Sequence, residues 1–193
     1  MALLDLYRKS VKSFADKVAK VRPDQWDNPT PCAEWDVRDL VNHIVYEEKW
    51  SVPLFAGSTI AEVGDRFEGD LLGDDPAAAA AEASEDAQAA VSAPDAIDRT
   101  VHLSFGEAPA EEYIRQLFAD HLVHGWDLAV ATGQDRRMDP ESVRECLQWF
   151  RSSEGSYRSA GLIAERVPLG PYAGDQERLI AGFGRDPNHP SPA

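Results

Sequence analysis

The chain has 193 residues, which suits one domain built around a single hydrophobic core. Its 34 acidic and 19 basic residues give a net charge of −15, which argues against nucleic acid and anionic membranes as partners. The sequence shows neither an apolar run of membrane-spanning length nor a secretory leader, so we expect a cytoplasmic protein that acts on small molecules or other proteins.

Two helices are predicted in the N-terminal quarter of the chain. Apolar residues recur at helical spacing over residues 3–21, which predicts the first helix. The second helix, over residues 37–50, has a clear start signal, because Asp36 can cap it and Asp39 stands at its third position. We expect Pro53 to end this helix.

The middle of the chain is predicted to be more varied. Residues 54–75 lack a clear period and should be mostly loop, apart from one short helix near residues 59–66. Pro76 begins an alanine-rich segment that favours a helix to residue 93. Polar and apolar residues alternate over residues 97–106, which predicts a short strand or one arm of a hairpin.

The C-terminal half is predicted to contain two more helices followed by less regular chain. The helices should cover residues 109–132 and 140–152, and Gly133 ends the first of them. Beyond them we expect extended chain, one or two helical turns and a frayed tail, over residues 162–171, 176–184 and 185–193. We therefore predict a helical bundle over residues 1–152 and a C-terminal extension over residues 153–193 that packs on the bundle.

The helix predicted over residues 109–132 carries polar side chains in the middle of an apolar stripe. Leu117, Asp120, His124 and Leu128 fall on one line, at spacings of three and four residues. Asp120 and His124 lie about one turn apart, so both can reach the same metal ion. A third ligand must come from another helix, and His43, on the edge of the second helix, is the natural candidate.

Other interpretations of these residues remain open at the level of sequence. Asp120 and His124 could form a simple hydrogen-bonded pair without a metal. His121 could replace Asp120 as the ligand, leaving Asp120 to accept a hydrogen bond behind the metal. Asp120 is preferred on angle, since it lies about 40° from His124 around the helix and His121 about 60° away on the other side. Glu47, one turn after His43, is either a solvated residue, an orienting group or a base.

The donor set predicts an open, catalytic kind of metal site. Two imidazole nitrogens and one carboxylate oxygen suit zinc, with nickel, iron or manganese possible on ligand type alone. Three protein ligands leave positions for a water or for a thiol bound as thiolate. Asp127 is expected to have a structural role, as the acceptor for a loop amide or for the indole of Trp126. His102 and His189 are not expected to join the site.

Two motifs resemble a known family. The first is residues 28–45, NPTPCAEWDVRDLVNHIV, which resembles the signature of the mycothiol-dependent maleylpyruvate isomerase N-terminal family. The second is residues 120–133, DHLVHGWDLAVATG, and the ending over residues 176–187 looks like the actinobacterial branch of this family. The resemblance implies the DinB-like superfamily of bacterial thiol transferases, with an all-α fold: a four-helix bundle that holds a metal through three ligands.

The resemblance assigns roles to individual residues. The family's ligands fall on His43, Asp120 and His124. Many DinB-like relatives have histidine at the position of Asp120, and the isomerase has glutamate, so the aspartate is a shorter ligand. A shorter ligand would draw the ion toward its helix or leave room for a water. The chain also shows no counterpart of the isomerase's longer C-terminal domain, so maleylpyruvate is not the expected substrate.

These observations lead to two hypotheses about function. The first is a divalent-metal-dependent S-transferase or isomerase, which delivers a small thiol such as mycothiol to a small electrophile. The second is a metal-binding stress-response protein of the DinB-like superfamily that has no turnover. Formation of a homodimer is compatible with either hypothesis.

Overall fold

The computed structural model describes residues 2–190, and the chain over this range is mostly helical. Two short 3₁₀ turns and a two-stranded antiparallel hairpin connect the helices. In chain order, the elements within the described range are α1 (Leu3–Val18), α2 (Val37–Phe55), α3 (Ile60–Val63), α4 (Pro76–Val91), β1 (Thr100–Leu103), β2 (Gly106–Pro109), α5 (Ala110–Thr132), α6 (Pro140–Ser159) and α7 (Asp175–Gly182). No helix between residues 2 and 190 is both long enough and apolar enough to cross a membrane.

Four long helices form a bundle. Both α1 and α2 pack against α4 and α5, so the order around the bundle is α1, α5, α2, α4. Because of this order, α1 faces α2 across the core and α4 faces α5. One cluster of buried side chains draws on all four helices and includes Phe14, Ile44, Ala83 and Leu128. This arrangement confirms the expected all-α, DinB-like four-helix bundle.

Helix α2 begins as the sequence predicts and ends later. Asp36 accepts a hydrogen bond from the Asp39 amide at 2.8 Å, and Asp39 accepts one from the Asp36 amide at 3.2 Å, which completes the capping box. The helix then continues past Pro53, although a proline inside a helix costs about 3 kcal/mol. Leu54 and Phe55 are each only 2% exposed, and burial of two such side chains at about 1.5–3 kcal/mol each offsets that cost.

The predicted hairpin arm is confirmed, and its partner strand follows at once. Val101 in β1 pairs with Ala108 in β2, and both residues face the core. Ser104 and Phe105 form the two-residue turn between the strands. The ring of Phe105 is 68% exposed, so the hairpin ends in an apolar tip.

Helix α6 extends to Ser159, rather than to the predicted end at residue 152. The added turns are polar, so apolar periodicity did not indicate them. They are held by the Glu154–Arg158 ion pair at 2.7 Å and by Tyr157, whose ring meets Trp149 edge-on at 5.9 Å. The boundary predicted at residue 152 lies inside this helix, and the division into a bundle and an extension stays a prediction.

Candidate metal centre

Three of the predicted ligands come together between α2 and α5. His43 on α2 and Asp120 and His124 on α5 place their potential ligand atoms within 4.8 Å of one another. His43 Nε2 lies 3.8 Å from Asp120 Oδ2, and the ring centroids of the two histidines are 5.1 Å apart. The one-turn spacing of Asp120 and His124 makes this possible, since both side chains leave α5 in nearly the same direction. Two nitrogens and one carboxylate oxygen at this spacing could hold one divalent ion.

A second carboxylate orients the ring of His124. Asp127 Oδ2 lies 3.1 Å from His124 Nδ1, and both side chains are almost fully buried. We assign the ring proton to Nδ1, because the carboxylate can only accept a hydrogen bond. Burial lowers the pKa of His124 below its usual value, even though Asp127 and Asp120 act in the opposite direction. The neutral ring therefore keeps a free lone pair on Nε2, the atom that a metal would need.

Arg185 in turn holds Asp127. Its Nε lies 3.3 Å and its Nη2 3.1 Å from Asp127 Oδ2, while Nη1 donates to the Phe183 carbonyl at 2.7 Å. Burial alone would raise the pKa of Asp127, but the charge of Arg185 and then the contact with His124 lower it below its usual value. The carboxylate thus remains ionised between a guanidinium and an imidazole.

A glycine allows Arg185 to reach this position. Gly184 has a φ of +83°, a conformation that side chains rarely adopt, and a Cβ at this residue would lie 2.7 Å from the Cβ of Ala164. The close approach turns the chain after α7 back toward α5. The sequence predicts a frayed tail from Arg185 onward, but the Arg185 side chain is only 11% exposed. Arg136 also donates a hydrogen bond to the His189 carbonyl at 2.9 Å, which holds this segment in place. Residues 191–193 of the expected tail lie outside the described range.

His121 lies on the other side of the same helix, inside the core. Its Nδ1 is 2.7 Å from the Leu117 carbonyl, and its Nε2 is 2.8 Å from Glu48 Oε1, which also accepts from Ser84 at 2.7 Å. Both ring nitrogens therefore face acceptors, the arrangement of a protonated imidazolium. Burial alone would lower the pKa of His121, but the hydrogen bond and charge of Glu48 outweigh it and raise the pKa. Both nitrogens of His121 are thus occupied inside the core, whereas His43, Asp120 and His124 converge, so the geometry favours Asp120 over His121 as the third candidate ligand.

His43 and Asp120 shift each other's pKa values in opposite directions. Burial alone would raise the pKa of Asp120, but the facing His43 and the more distant His124 lower it below its usual value. For His43 burial lowers the pKa, and the Asp120 carboxylate together with Glu47 reverses this and raises it. At 3.8 Å the contact between His43 and Asp120 is too long for a hydrogen bond, so neither group satisfies the other directly.

The three side chains open onto a cavity of about 650 Å³. Trp35 covers the two histidines, with its ring centroid 4.8 Å from that of His43 and 5.6 Å from that of His124. Glu47 also lines the cavity, and burial together with the charge of Asp120 raises the pKa of its carboxyl to about 7. Its roles as an orienting group or a base stay predictions.

The remaining predicted residues fall where the sequence suggested, with one exception. His102 pairs with Glu107 across the hairpin at 3.8 Å, and His189 is half-buried near the C-terminus, away from the three candidate ligands. The exception is Asp127, which accepts from His124 and Arg185 rather than from a loop amide or an indole. Its spacing of three residues from His124 was a usable signal. No sequence signal indicated the contact of Arg185 with Asp127, because the two residues are 58 positions apart.

Comparisons with known proteins agree with this description. Residues 7–129 match the family described as mycothiol maleylpyruvate isomerase N-terminal domain. Two relatives, both named as uncharacterized proteins, come from Mycobacterium tuberculosis strains CDC 1551 / Oshkosh and H37Rv. Each is 34% identical over 181 residues, which covers 93% of this chain and 95% of the relative. No solved structure matches the chain significantly.

The family match covers the parts of the chain that matter most for the site. It spans most of α1, all of α2 and α4 and most of α5, and it includes all three candidate ligands but not Arg185. The resemblance inferred from the two sequence motifs is thereby confirmed. The chain belongs to the mycothiol maleylpyruvate isomerase N-terminal domain family.

Proposed function

We propose that this protein binds one divalent metal ion through His43, Asp120 and His124 and transfers a small thiol of the mycothiol type to an electrophile. The observation that carries this proposal is the convergence of three ligand atoms, from two helices, within 4.8 Å of one another at a cavity. The mycothiol-related family of the chain supports a thiol as the co-substrate. The substrate of the family's namesake is not carried over to this chain.

The residues present fit a metal on their own chemistry. His124 offers a lone pair because Asp127 occupies its other nitrogen, and this carboxylate–histidine arrangement is usual behind metal ligands. The Asp120 carboxylate is only in loose contact with His43, so its oxygens are available. A set of two nitrogens and one oxygen favours zinc, while nickel, iron and manganese remain compatible with it. Three protein ligands on a cavity wall leave positions open for small molecules.

The chain's own residues would prepare the site for thiol transfer. When bound, a divalent ion would supply Lewis acidity that lowers the pKa of a thiol and makes it a nucleophile at neutral pH. Asp127 holds the Nδ1 proton of His124, and Arg185 holds Asp127, so the imidazole cannot rotate away. Trp35 covers both histidines and limits the access of water to them. In the transfer a sulfur–carbon bond forms, the thiol proton passes to solvent, and the leaving group departs with its electron pair.

Cobalt substitution combined with a turnover assay tests this function. Mycothiol added to the cobalt-loaded protein should change the visible absorption of the metal, because sulfur becomes a ligand. A panel of electrophiles should then show metal-dependent conjugation with the wild type but not with His124→Ala. His102→Ala is the matched control, since it removes a histidine outside the site and should retain the activity.

Two results would contradict the proposal in different ways. An unchanged cobalt spectrum at saturating mycothiol would exclude the thiol as a ligand of the metal. A changed spectrum without turnover on any electrophile would favour the second hypothesis, a metal-binding protein without catalysis.

A further inference from the structure

The wall of the cavity is rich in aromatic side chains and poor in free positive charge. Three of the five tryptophans line it, Trp35, Trp50 and Trp149, together with Tyr113 and Phe183. Aromatic walls of this kind bind planar apolar groups through stacking and edge contacts. A volume of about 650 Å³ is in the range of pockets that hold a drug-sized molecule.

The charges on this wall are unfavourable for an anion. Glu47 and Asp120 contribute carboxyl groups. Within residues 2–190, the one lysine or arginine that lines the cavity is Arg185, and its charge is already matched by the buried Asp127. If a divalent ion and a thiolate are both bound, their charges and that of Asp120 cancel. The wall then offers no surplus positive charge to a second, negatively charged substrate.

The rim of the cavity continues the apolar surface outward. Phe105 at the hairpin tip is 68% exposed, Leu162 after α6 is 66% exposed, and both line the cavity. Exposed apolar side chains grouped at one opening are typical of binding sites. Tyr172 is 97% exposed as well, but it is not part of the cavity lining.

We propose that the cavity accepts an uncharged aromatic compound as the electrophile. This inference rests on the proposed function and specifies the class of its second substrate. Three features favour a neutral planar molecule over a carboxylate: the aromatic wall, the apolar rim and the absence of an unmatched cation among the described lining residues.

A matched pair of unreactive probes tests the inference. 2-Naphthamide and 2-naphthoate have nearly the same shape and differ by one negative charge. Quenching of tryptophan fluorescence gives both dissociation constants, because three tryptophans line the cavity. The full-length protein is used as isolated and again after treatment with a chelator, at about pH 8, where 2-naphthoate carries its negative charge and 2-naphthamide is uncharged. We expect the amide to bind ~10-fold more tightly than the carboxylate in the chelated sample.

Variants at the rim locate the binding. Phe105→Ser and Leu162→Ser should each weaken binding of 2-naphthamide by about 3-fold, through loss of apolar contact. Tyr172→Ser is the control, because it removes an equally exposed aromatic ring away from the cavity, and its affinity should equal that of the wild type. All three positions are exposed, so none of these changes should impair folding.

Two outcomes would overturn the inference. One is a carboxylate that binds as tightly as the amide, or more tightly, to the chelated protein. The other is a Tyr172→Ser variant that loses as much affinity as Phe105→Ser. Metal content is measured on the protein as isolated. Absence of metal from that sample would contradict the proposed function, whereas the ratio of the two affinities in the chelated sample decides this inference.

Discussion

Helix α5 carries two histidines three residues apart, and each is paired with a buried carboxylate, yet their surroundings are opposite. His121 uses both ring nitrogens inside the core, on Leu117 and Glu48. His124 uses one nitrogen on Asp127 and turns the other toward the cavity beside Asp120. The pKa of His121 is raised and that of His124 is lowered.

The comparison shows what makes a buried histidine available as a ligand. A carboxylate partner is present in both cases, so the partner alone does not distinguish them. The surroundings of the second ring nitrogen distinguish the two histidines. A hydrogen-bond acceptor at that nitrogen stabilises the imidazolium, whereas an open cavity leaves its lone pair free. His121 should therefore contribute to stability, and His124 to metal binding.

The largest expected effect is on folding, from loss of His121. His121→Leu leaves the Glu48 carboxylate buried with Ser84 as its remaining partner, and breaking a buried pair costs about 3–5 kcal/mol. Urea unfolding should show a decrease of this size in the free energy of unfolding. Adding Glu48→Gln removes the buried charge and should recover part of it. A single variant as stable as the wild type would show that this pair does not hold the core.

The second effect is on metal affinity, from loss of His124. His124→Ala removes a proposed ligand and should weaken zinc binding by on the order of 100-fold or more, since changes behind the ligands already cost about 10–100-fold. Competition with a chromophoric chelator measures this directly. The variant should lose less unfolding free energy than His121→Leu, because Asp127 keeps its partner Arg185. Equal zinc affinities for His124→Ala and wild type would remove His124 from the site.

A smaller decrease in zinc affinity is expected from a change at Asp127, which contacts the proposed ligand His124. Asp127→Asn retains the shape of the side chain but weakens its hold on His124 Nδ1, so zinc affinity should fall by about 10-fold. Asp135→Asn is a suitable control, since it removes an exposed carboxylate on the loop after α5 that pairs with Arg137. The idea that Asp127 orients His124 fails if both variants bind zinc as the wild type does.

The smallest effect concerns pH, and it has opposite signs at the two histidines. In metal-free protein, the ring signals should titrate above the ordinary pKa of 6.5 for His121 and below it for His124. The raised pKa of His121 contributes stability that is fully present below about pH 6.5 and is lost as pH rises through the folded-state value. The lowered pKa of His124 contributes stability that is present above about pH 6.5 and is lost as pH falls through its folded-state value.

Nuclear magnetic resonance titration, with signals assigned from the His121 and His124 variants, measures both values. The stability difference between wild type and His121→Gln should also be larger at about pH 6 than at about pH 9. Identical titration of the two rings would contradict the contrast between His121 and His124.

Sequence reasoning was sufficient where local rules apply. The capping box at Asp36, the stop at Gly133 and the one-turn spacing of Asp120 and His124 all depend on neighbouring residues. It also placed His43 near the pair on α5, because the second predicted helix was the only other strongly amphipathic helix with a histidine.

Sequence reasoning failed where distant parts of the chain meet. The length of α2 beyond Pro53 depends on tertiary burial of Leu54 and Phe55. The role of Arg185 depends on the return of the chain after α7, at Gly184, to a helix 58 residues earlier. No local pattern at either position indicates these contacts.

The most direct test of the account is elemental analysis of the purified protein and two variants after reconstitution with zinc and removal of free metal. Three convergent ligands predict about one ion per chain for the wild type and for His102→Ala, which keeps all three proposed ligands. His43→Ala, which loses the ligand from α2, should retain far less. Folded wild-type protein that retains no metal, or His43→Ala that retains as much as the wild type, would contradict the central claim.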